Sequence, residues 1–222
     1  MKTILCFGSC RSSEIPSNKY KIYNFTYTHS TKEVIQLLSY SFNNIEKQNN
    51  ILQQKYILND MTLEKFNKIK NIYDSCDFIL IEISSIKEIK NDNGYYYNQW
   101  VVRDNNINEN IIINFATIDE IVKDIEIIKK ILNNKKIIFQ SHINLNFEGM
   151  ETLKHKKIIP PIESRTIIDE AIKKIEHVQK IIPRELFFYY KWKDIVVSDT
   201  DTCHMSIVAK NIIADYLDNV IK

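Results

Sequence analysis

Thr3-Ile4-Leu5-Cys6-Phe7-Gly8-Ser9-Cys10-Arg11-Ser12-Ser13 decides how the rest of the chain is read. An apolar run of strand length stops at a glycine, and small hydroxyl and thiol side chains follow. That is the pattern of a buried strand handing polar groups to its carboxyl end. Ligands of open α/β sheets bind at that end. Only 3 glycines occur in 222 residues, so Gly8 marks a sharp turn or a close approach of the backbone to a ligand. The alternative for the same stretch is an ordinary strand-to-helix turn, with Ser9 capping the first helix.

Outward from this turn, strands and helices alternate. Lys2–Phe7 is the first strand, and Tyr20–Tyr27, rich in aromatic and β-branched residues, suits a second. Ser30-Thr31-Lys32-Glu33 matches a capping box, and Val34, Leu37, Leu38 and Phe42 follow at helical spacing. A helix from about Thr31 to near Asn49 is predicted. Another amphipathic segment covers about Thr62 to Tyr73. Asp77-Phe78-Ile79-Leu80-Ile81-Glu82-Ile83 is nearly continuous in apolar character, as a central parallel strand is, and Ser84 and Ser85 stand at its end.

Residues 87–110 carry the turn signal Asp92-Asn93-Gly94 ahead of Tyr95-Tyr96-Tyr97 and read as an inserted hairpin, a candidate lid. Thr117-Ile118-Asp119-Glu120 opens a helix to about Leu132, and Lys136–Gln140 is the next strand, ending in Ser141-His142-Ile143-Asn144. Beyond Pro160-Pro161, residues Ile167, Ile168, Ala171, Ile172 and Ile175 predict one long helix from about Ser164 to Ile181, closed by Pro183. Residues 185–197 are expected to hold a last short strand, and Met205–Ile221 a final helix. The simplest architecture is a single α/β domain whose parallel sheet is covered by helices on both faces.

Composition narrows the function classes. Hydrophobic residues at 44% and charged residues at 26% match an ordinary soluble globular protein. A formal net charge of +2, from 30 basic and 28 acidic side chains without a basic block, argues against nucleic acid as the main partner. No segment approaches the roughly 18 apolar residues of a membrane span, and no secretory leader pattern opens the chain, so a cytoplasmic protein without a membrane partner is expected. Cys6, Cys10, Cys76 and Cys203 form no CxxC pair, which signals neither a zinc site nor a disulfide framework.

Two distant places gather reactive side chains: Ser9, and the loop Ser198-Asp199-Thr200-Asp201-Thr202-Cys203-His204 before the last helix. A serine alcohol needs an imidazole to take its proton, and the imidazole needs a carboxylate on its other nitrogen to fix the tautomer. An Asp three residues before a His reaches that nitrogen from one turn; Asp199 would have to reach back through the loop.

This order of elements, with a serine after strand one and Asp-x-x-His near the carboxyl end, resembles the SGNH/GDSL-type esterase and acyltransferase superfamily, in a divergent Gly-Ser-Cys-Arg branch. The Pro160-Pro161 to Arg165 segment is similar to a proline-then-arginine segment of many members. The resemblance implies a three-layer flavodoxin-like sheet, with Ser9 as nucleophile, His204 as general base and Asp201 as its orienting partner. The backbone N–H of Ser9 would form part of the oxyanion hole. The superfamily's Asn donor after the central strand is missing here, where Ile83-Ser84-Ser85 stands; a serine, Asn24 or Asn144 is expected to replace it.

Gly8, Cys10, Arg11, Asn24, Ser84, Ser85, His142 and Asn144 complete the candidate oxyanion and substrate-binding set. Arg11 suits a substrate carboxylate or phosphate, and Tyr95 to Tyr97 suit stacking on a sugar. The function implied is hydrolysis or transfer of a small acyl group, acetyl foremost, on a carbohydrate or similar polar alcohol, without metal or cofactor. Two alternatives stay open: an inactive binding module of the same fold for a glycan or acyl-carrier nucleotide, and a Cys10–His204 thiol enzyme, since a thiol is intrinsically the better nucleophile at neutral pH.

Overall fold

Buried apolar runs of five to seven residues, separated by amphipathic segments, assemble into a parallel sheet flanked by helices. The computed structural model describes residues 1–42, 63–98, 102, 110–133, 135–144, 162–198, 201 and 204–221. In chain order the elements are β1 (Lys2–Gly8), α1 (Cys10–Ser13), β2 (Tyr20–Tyr27), α2 (Thr31–Phe42), α3 (Leu63–Ser75), β3 (Phe78–Ile83), β4 (Lys87–Asn91), β5 (Tyr96–Tyr97) and β6 (Ile111–Phe115). Then follow α4 (Ile118–Ile131), β7 (Lys136–Ser141), α5 (Ile162–Lys174), β8 (Gln179–Ile181), α6 (Pro183–Leu186), α7 (Trp192–Ile195) and α8 (Ile207–Val220).

The main sheet is five-stranded with the order β2-β1-β3-β7-β8, and every pairing in it is parallel. Counting only its own strands, the order is compatible with the flavodoxin-like doubly wound arrangement, in which the chain reverses direction across the sheet between the first and third strands. That reversal lies between β1 and β3. Residue alternation sends the two faces into separate cores. Leu5, Phe7, Ile79, Ile81, Ile83 and Phe139 pack with α2, α4 and α5, while Ile4, Cys6, Phe78, Leu80 and Ile138 pack with α8.

The inserted segment is more than a hairpin. Asp92-Asn93-Gly94 turns the chain as its signal suggests, with Gly94 at φ 80, but β6 pairs with β4 and completes a three-stranded antiparallel sheet. Gln36 on α2 grips β5 twice, accepting from Tyr96 N–H and donating to Tyr96 O, and Ile89 and Tyr97 join the core below. A lid motion of this hairpin would break those bonds. The rest of the expected cover, residues 99–101 and 103–109, lies outside the described residues, as do 43–49 of the expected α2 extension, Thr62 and Pro160-Pro161.

The carboxyl-terminal third corrects the reading of helix and strand. The expected helix to Ile181 ends at Lys174, the chain turns through His177 at φ 59, and Gln179–Ile181 becomes the edge strand β8. Ile181 and Ile182 point into opposite cores, the period-two signature of a strand, whereas the isoleucines before them keep helical spacing. Residues 185–197 hold helices and no strand: Pro183 opens α6 instead of closing α5, because its missing N–H costs nothing at a first helical position. Among the described residues no helix is long and apolar enough to cross a membrane.

Both expected capping boxes form. Thr117 and Glu120 exchange side-chain to backbone bonds, and Glu33 N–H donates to Ser30 Oγ while the Glu33 carboxylate accepts from His29 N–H, Ser30 Oγ and Asn98 Nδ2. Burial pushes the Glu33 carboxyl from its ordinary 4.5 up to about 8, against the lowering effect of those hydrogen bonds. A folded value above the unfolded one gives stability that is complete below about pH 4.5 and lost as pH rises through about 8. Glu33→Gln, whose amide can donate to Ser30 Oγ, is expected to raise the melting temperature progressively more, relative to wild type, between about pH 5 and pH 9. A difference that does not change with pH would contradict the assignment.

Candidate active site

The carboxyl ends of β1 and β3 meet at a buried carboxylate. Glu82, on β3, is 0% exposed, and its Oε2 accepts three hydrogen bonds: from Ser9 N–H at 2.9 Å, from Ser9 Oγ at 2.6 Å and from Ser12 Oγ at 2.6 Å. Three donors make its burial tolerable, since an uncompensated buried charge costs several kcal/mol or shifts to the neutral form. The turn can sit this low on β3 only because Gly8 has no side chain. A Cβ there would lie 2.6 Å from Ser12 Oγ and 2.7 Å from Glu82 Cβ.

Arg11 closes the arrangement from the other side. Its Nη1 donates to Ser9 Oγ at 2.9 Å and stands 3.9 Å from Glu82 Oε1, with the side chain 12% exposed. The Ser9 hydroxyl, itself 2% exposed as a residue, therefore lies between a carboxylate and a guanidinium. Beside it in the sheet, Gln140 pairs in register with Glu82, and His142 Nδ1 lies 3.8 Å from Glu82 Oε1. That distance is beyond a hydrogen bond, and among the described residues neither atom has a hydrogen-bond partner. The Cys6 thiol shares this environment and is pushed up to about 12, by burial first and the charge of Glu82 last. It is inert as a nucleophile.

The remaining candidates brace the turn and its neighbours. Asn24 Nδ2 donates to the carbonyls of Gly8 and Ser9 at 3.1 and 3.4 Å. Ser84 Oγ bonds His29 Nδ1 at 2.9 Å, while the amides of Ser84 and Ser85 both donate to His29 O. Burial holds the His29 ring down to about 4, so it is neutral at ordinary pH. Ser85 Oγ accepts from Lys87 N–H. Asn144 Nδ2 donates to Thr166 Oγ1 and Asp169 Oδ2, both at 3.1 Å, tying the loop after β7 to α5. Burial raises the Asp169 carboxyl above its usual range. The Ser9 amide, expected to serve the oxyanion, donates to Glu82 Oε2 in this structure.

Asp201 and His204 form the expected pair. Asp201 Oδ2 lies 2.8 Å from His204 Nδ1, and Asp201 Oδ1 also accepts from His204 N–H at 3.1 Å. Val196 and Met205 bridge across the loop's base, and Met205 packs in the same core as Cys6, Ile15 and Ile143. Lys210, on the first turns of α8, binds Glu14 just after α1 at 2.6 Å, so this loop is fastened beside the serine turn on one face of the sheet. Among the described residues no hydrogen bond joins His204 to Ser9, and the His204 side chain is 49% exposed. The Cys10 side chain, Asp199 and Cys203 lie outside the described residues.

Glu82 is the residue that sequence reasoning passed over. Its signal was present: one acid inside a strand otherwise made of Phe, Ile and Leu. A cavity of about 580 Å³ bounded by Lys129, Lys135, Lys136 and His177 lies at the opposite, amino end of the sheet and includes none of these groups. Glu82→Ala would take the acceptor from two hydroxyls and an amide and remove the carboxylate 3.9 Å from Arg11 Nη1; the expected loss is about 3 kcal/mol or more. Urea denaturation checks this, and a loss below about 1 kcal/mol would contradict it.

The family model of the TviD N-terminal domain matches residues 2–105. That span, just under half of the chain, holds Gly8, Ser9, Arg11, Asn24, Glu82, Ser84 and Ser85, and excludes His142, Asn144, Asp201 and His204. Among curated proteins nothing matches the chain significantly.

Proposed function

We propose that the chain is an SGNH-like serine hydrolase or acyltransferase that removes or transfers a small acyl group, acetyl foremost, on a carbohydrate or similar polar alcohol. The observation that carries this reading is the Asp201–His204 pair. With Nδ1 held at 2.8 Å by a carboxylate, the imidazole keeps Nε2 as a proton acceptor. The tie between Lys210 and Glu14 keeps that ring on the side of the sheet where Ser9 leaves β1. The order of the parallel strands is compatible with the same reading.

The chemistry then runs in two halves. Ser9 Oγ leaves Glu82 and attacks the acyl carbonyl carbon. The hydroxyl proton passes to His204 Nε2 as the Oγ–C bond forms and the carbonyl electron pair moves onto oxygen. Collapse of the intermediate expels the alcohol, which takes the proton from His204. Water or a sugar hydroxyl repeats the sequence on the acyl-enzyme and frees Ser9. Asp201 keeps the ring in the tautomer that both halves need.

A second reading, an inactive binding module, is favoured by one observation: the Ser9 hydroxyl is buried and already bonded to Glu82 and Arg11. Turnover of p-nitrophenyl acetate separates the two. The enzyme reading expects activity that Ser9→Ala abolishes, together with labelling by a fluorophosphonate probe that requires Ser9; equal inertness of wild type and Ser9→Ala toward short acyl esters would contradict it. Asp201→Asn is expected to lower kcat by roughly 10- to 10⁴-fold, the upper figure being the cost of the same change in a serine protease triad. An unchanged kcat would remove Asp201 from the mechanism.

A further inference from the structure

We infer that Glu82, Gln140 and His142 form the seat for a free hydroxyl of the substrate, on the carbon next to the esterified one. The inference deepens the proposed function and rests on Ser9 being the nucleophile. Strand pairing sets the three groups together: Glu82 on β3 and Gln140 on β7 are in register, and His142, just past the end of β7, brings Nδ1 to 3.8 Å from Glu82 Oε1. The three residues are 0, 1 and 2% exposed. Glu82 Oε1, Gln140 Oε1 and His142 Nδ1 are nevertheless without a hydrogen-bond partner among the described residues. A buried polar atom left unpaired is costly, so three of them in one place mark where a polar group binds.

The chemistry of these atoms selects the group. Glu82 Oε1 is an acceptor and repels a second anion. Arg11 Nη1, 3.9 Å from the same oxygen, already supplies positive charge there, so a neutral donor suits the place better than an ammonium ion. Among the described residues no cluster of three or more His, Cys, Asp or Glu side chains could hold a metal. A hydroxyl answers both sides of the 3.8 Å gap: it donates to Glu82 Oε1, and its oxygen accepts from His142 Nδ1–H. Gln140 Oε1 offers an acceptor to one more donor. The location follows from the carboxylate itself. Glu82 Oε2 accepts from the Ser9 backbone N–H at 2.9 Å, a bond that no Ser9 rotamer alters, so a group on Oε1 lies beside the residue that attacks. Adjacent carbons of a sugar or polyol present an ester and a hydroxyl side by side in this way.

The test compares three esters with the full-length protein: ethylene glycol monoacetate, whose hydroxyl can donate, methoxyethyl acetate, whose ether oxygen at the same position cannot, and ethyl acetate, which has no group there. Acid release gives kcat/KM for each, counted as the part lost in Ser9→Ala. Wild type is expected to prefer the glycol ester to both others by about tenfold or more, the range of a hydrogen bond to a charged group. His142→Phe and Gln140→Met, checked for folding by circular dichroism, are expected to shrink that preference. Equal kcat/KM for the glycol and ethyl esters in wild type overturns the inference whether or not the variants fold, since the three atoms then hold water only. A preference that survives intact in folded His142→Phe overturns it too. Ser9-dependent hydrolysis of p-nitrophenyl acetate without any such preference sinks the hydroxyl seat and spares the serine mechanism. Wild type indistinguishable from Ser9→Ala on every ester overturns both.

Discussion

A carboxylate buried under a serine turn is the constraint that the rest of this molecule satisfies. Glu82 sits in the middle of the sheet, between β1 and β7, where an unpaired charge would cost several kcal/mol. Its environment therefore has to supply donors. Ser9 and Ser12 supply them from the turn, Gly8 makes room by lacking a Cβ, and Arg11 sets a positive charge within 3.9 Å. The same set of bonds that makes Glu82 tolerable holds Ser9 in one place at the point where the doubly wound sheet changes direction. Stability and the position of the Ser9 hydroxyl share one origin.

The two faces of the sheet divide the work. On one, α2, α4 and α5 cover an aliphatic core, with Thr31 and Lys32 tying α2 to Asp124 of α4, and Ser141 and Asn144 at the end of β7 bonded to Asp169 of α5. On the other, α8 covers a smaller core and delivers the loop that carries Asp201 and His204. Glu82, Gln140 and His142 alternate onto this second face with Phe78, Leu80 and Ile138. The segment after the serine turn and the first turns of α8 are tied across the chain by Glu14 and Lys210.

Much of this was legible in the sequence, and the exceptions have physical causes. β1, β3 and β7 stood out because parallel strands buried on both faces are nearly continuous apolar runs. The Thr117 and Ser30 capping boxes and the Asp92-Asn93-Gly94 turn carry local chemistry that no tertiary contact overrides. β8 was hidden because the isoleucines up to Ile175 keep helical spacing, and only its seat beside β7 reveals three further residues as a strand. β6 was hidden because its residues are almost wholly exposed. Glu82 was counted as part of an apolar run, although an acid in such a strand signals a buried partner set. Which donors were committed, and which cation stood beside Ser9, depends on side chains from four strands meeting, and no spacing rule encodes that.

The most direct measurement of the central claim is the site of the covalent intermediate. Wild-type protein mixed with p-nitrophenyl acetate, quenched in acid within the first turnover and digested with trypsin, releases the peptide Thr3–Arg11, which contains Ser9, Cys6 and Cys10 together. Fragmentation by mass spectrometry assigns the acetyl group to one of them. The account requires it on Ser9, with the adduct absent from Ser9→Ala. Acetylation of Cys10, or no adduct while ester is still turned over, would contradict it.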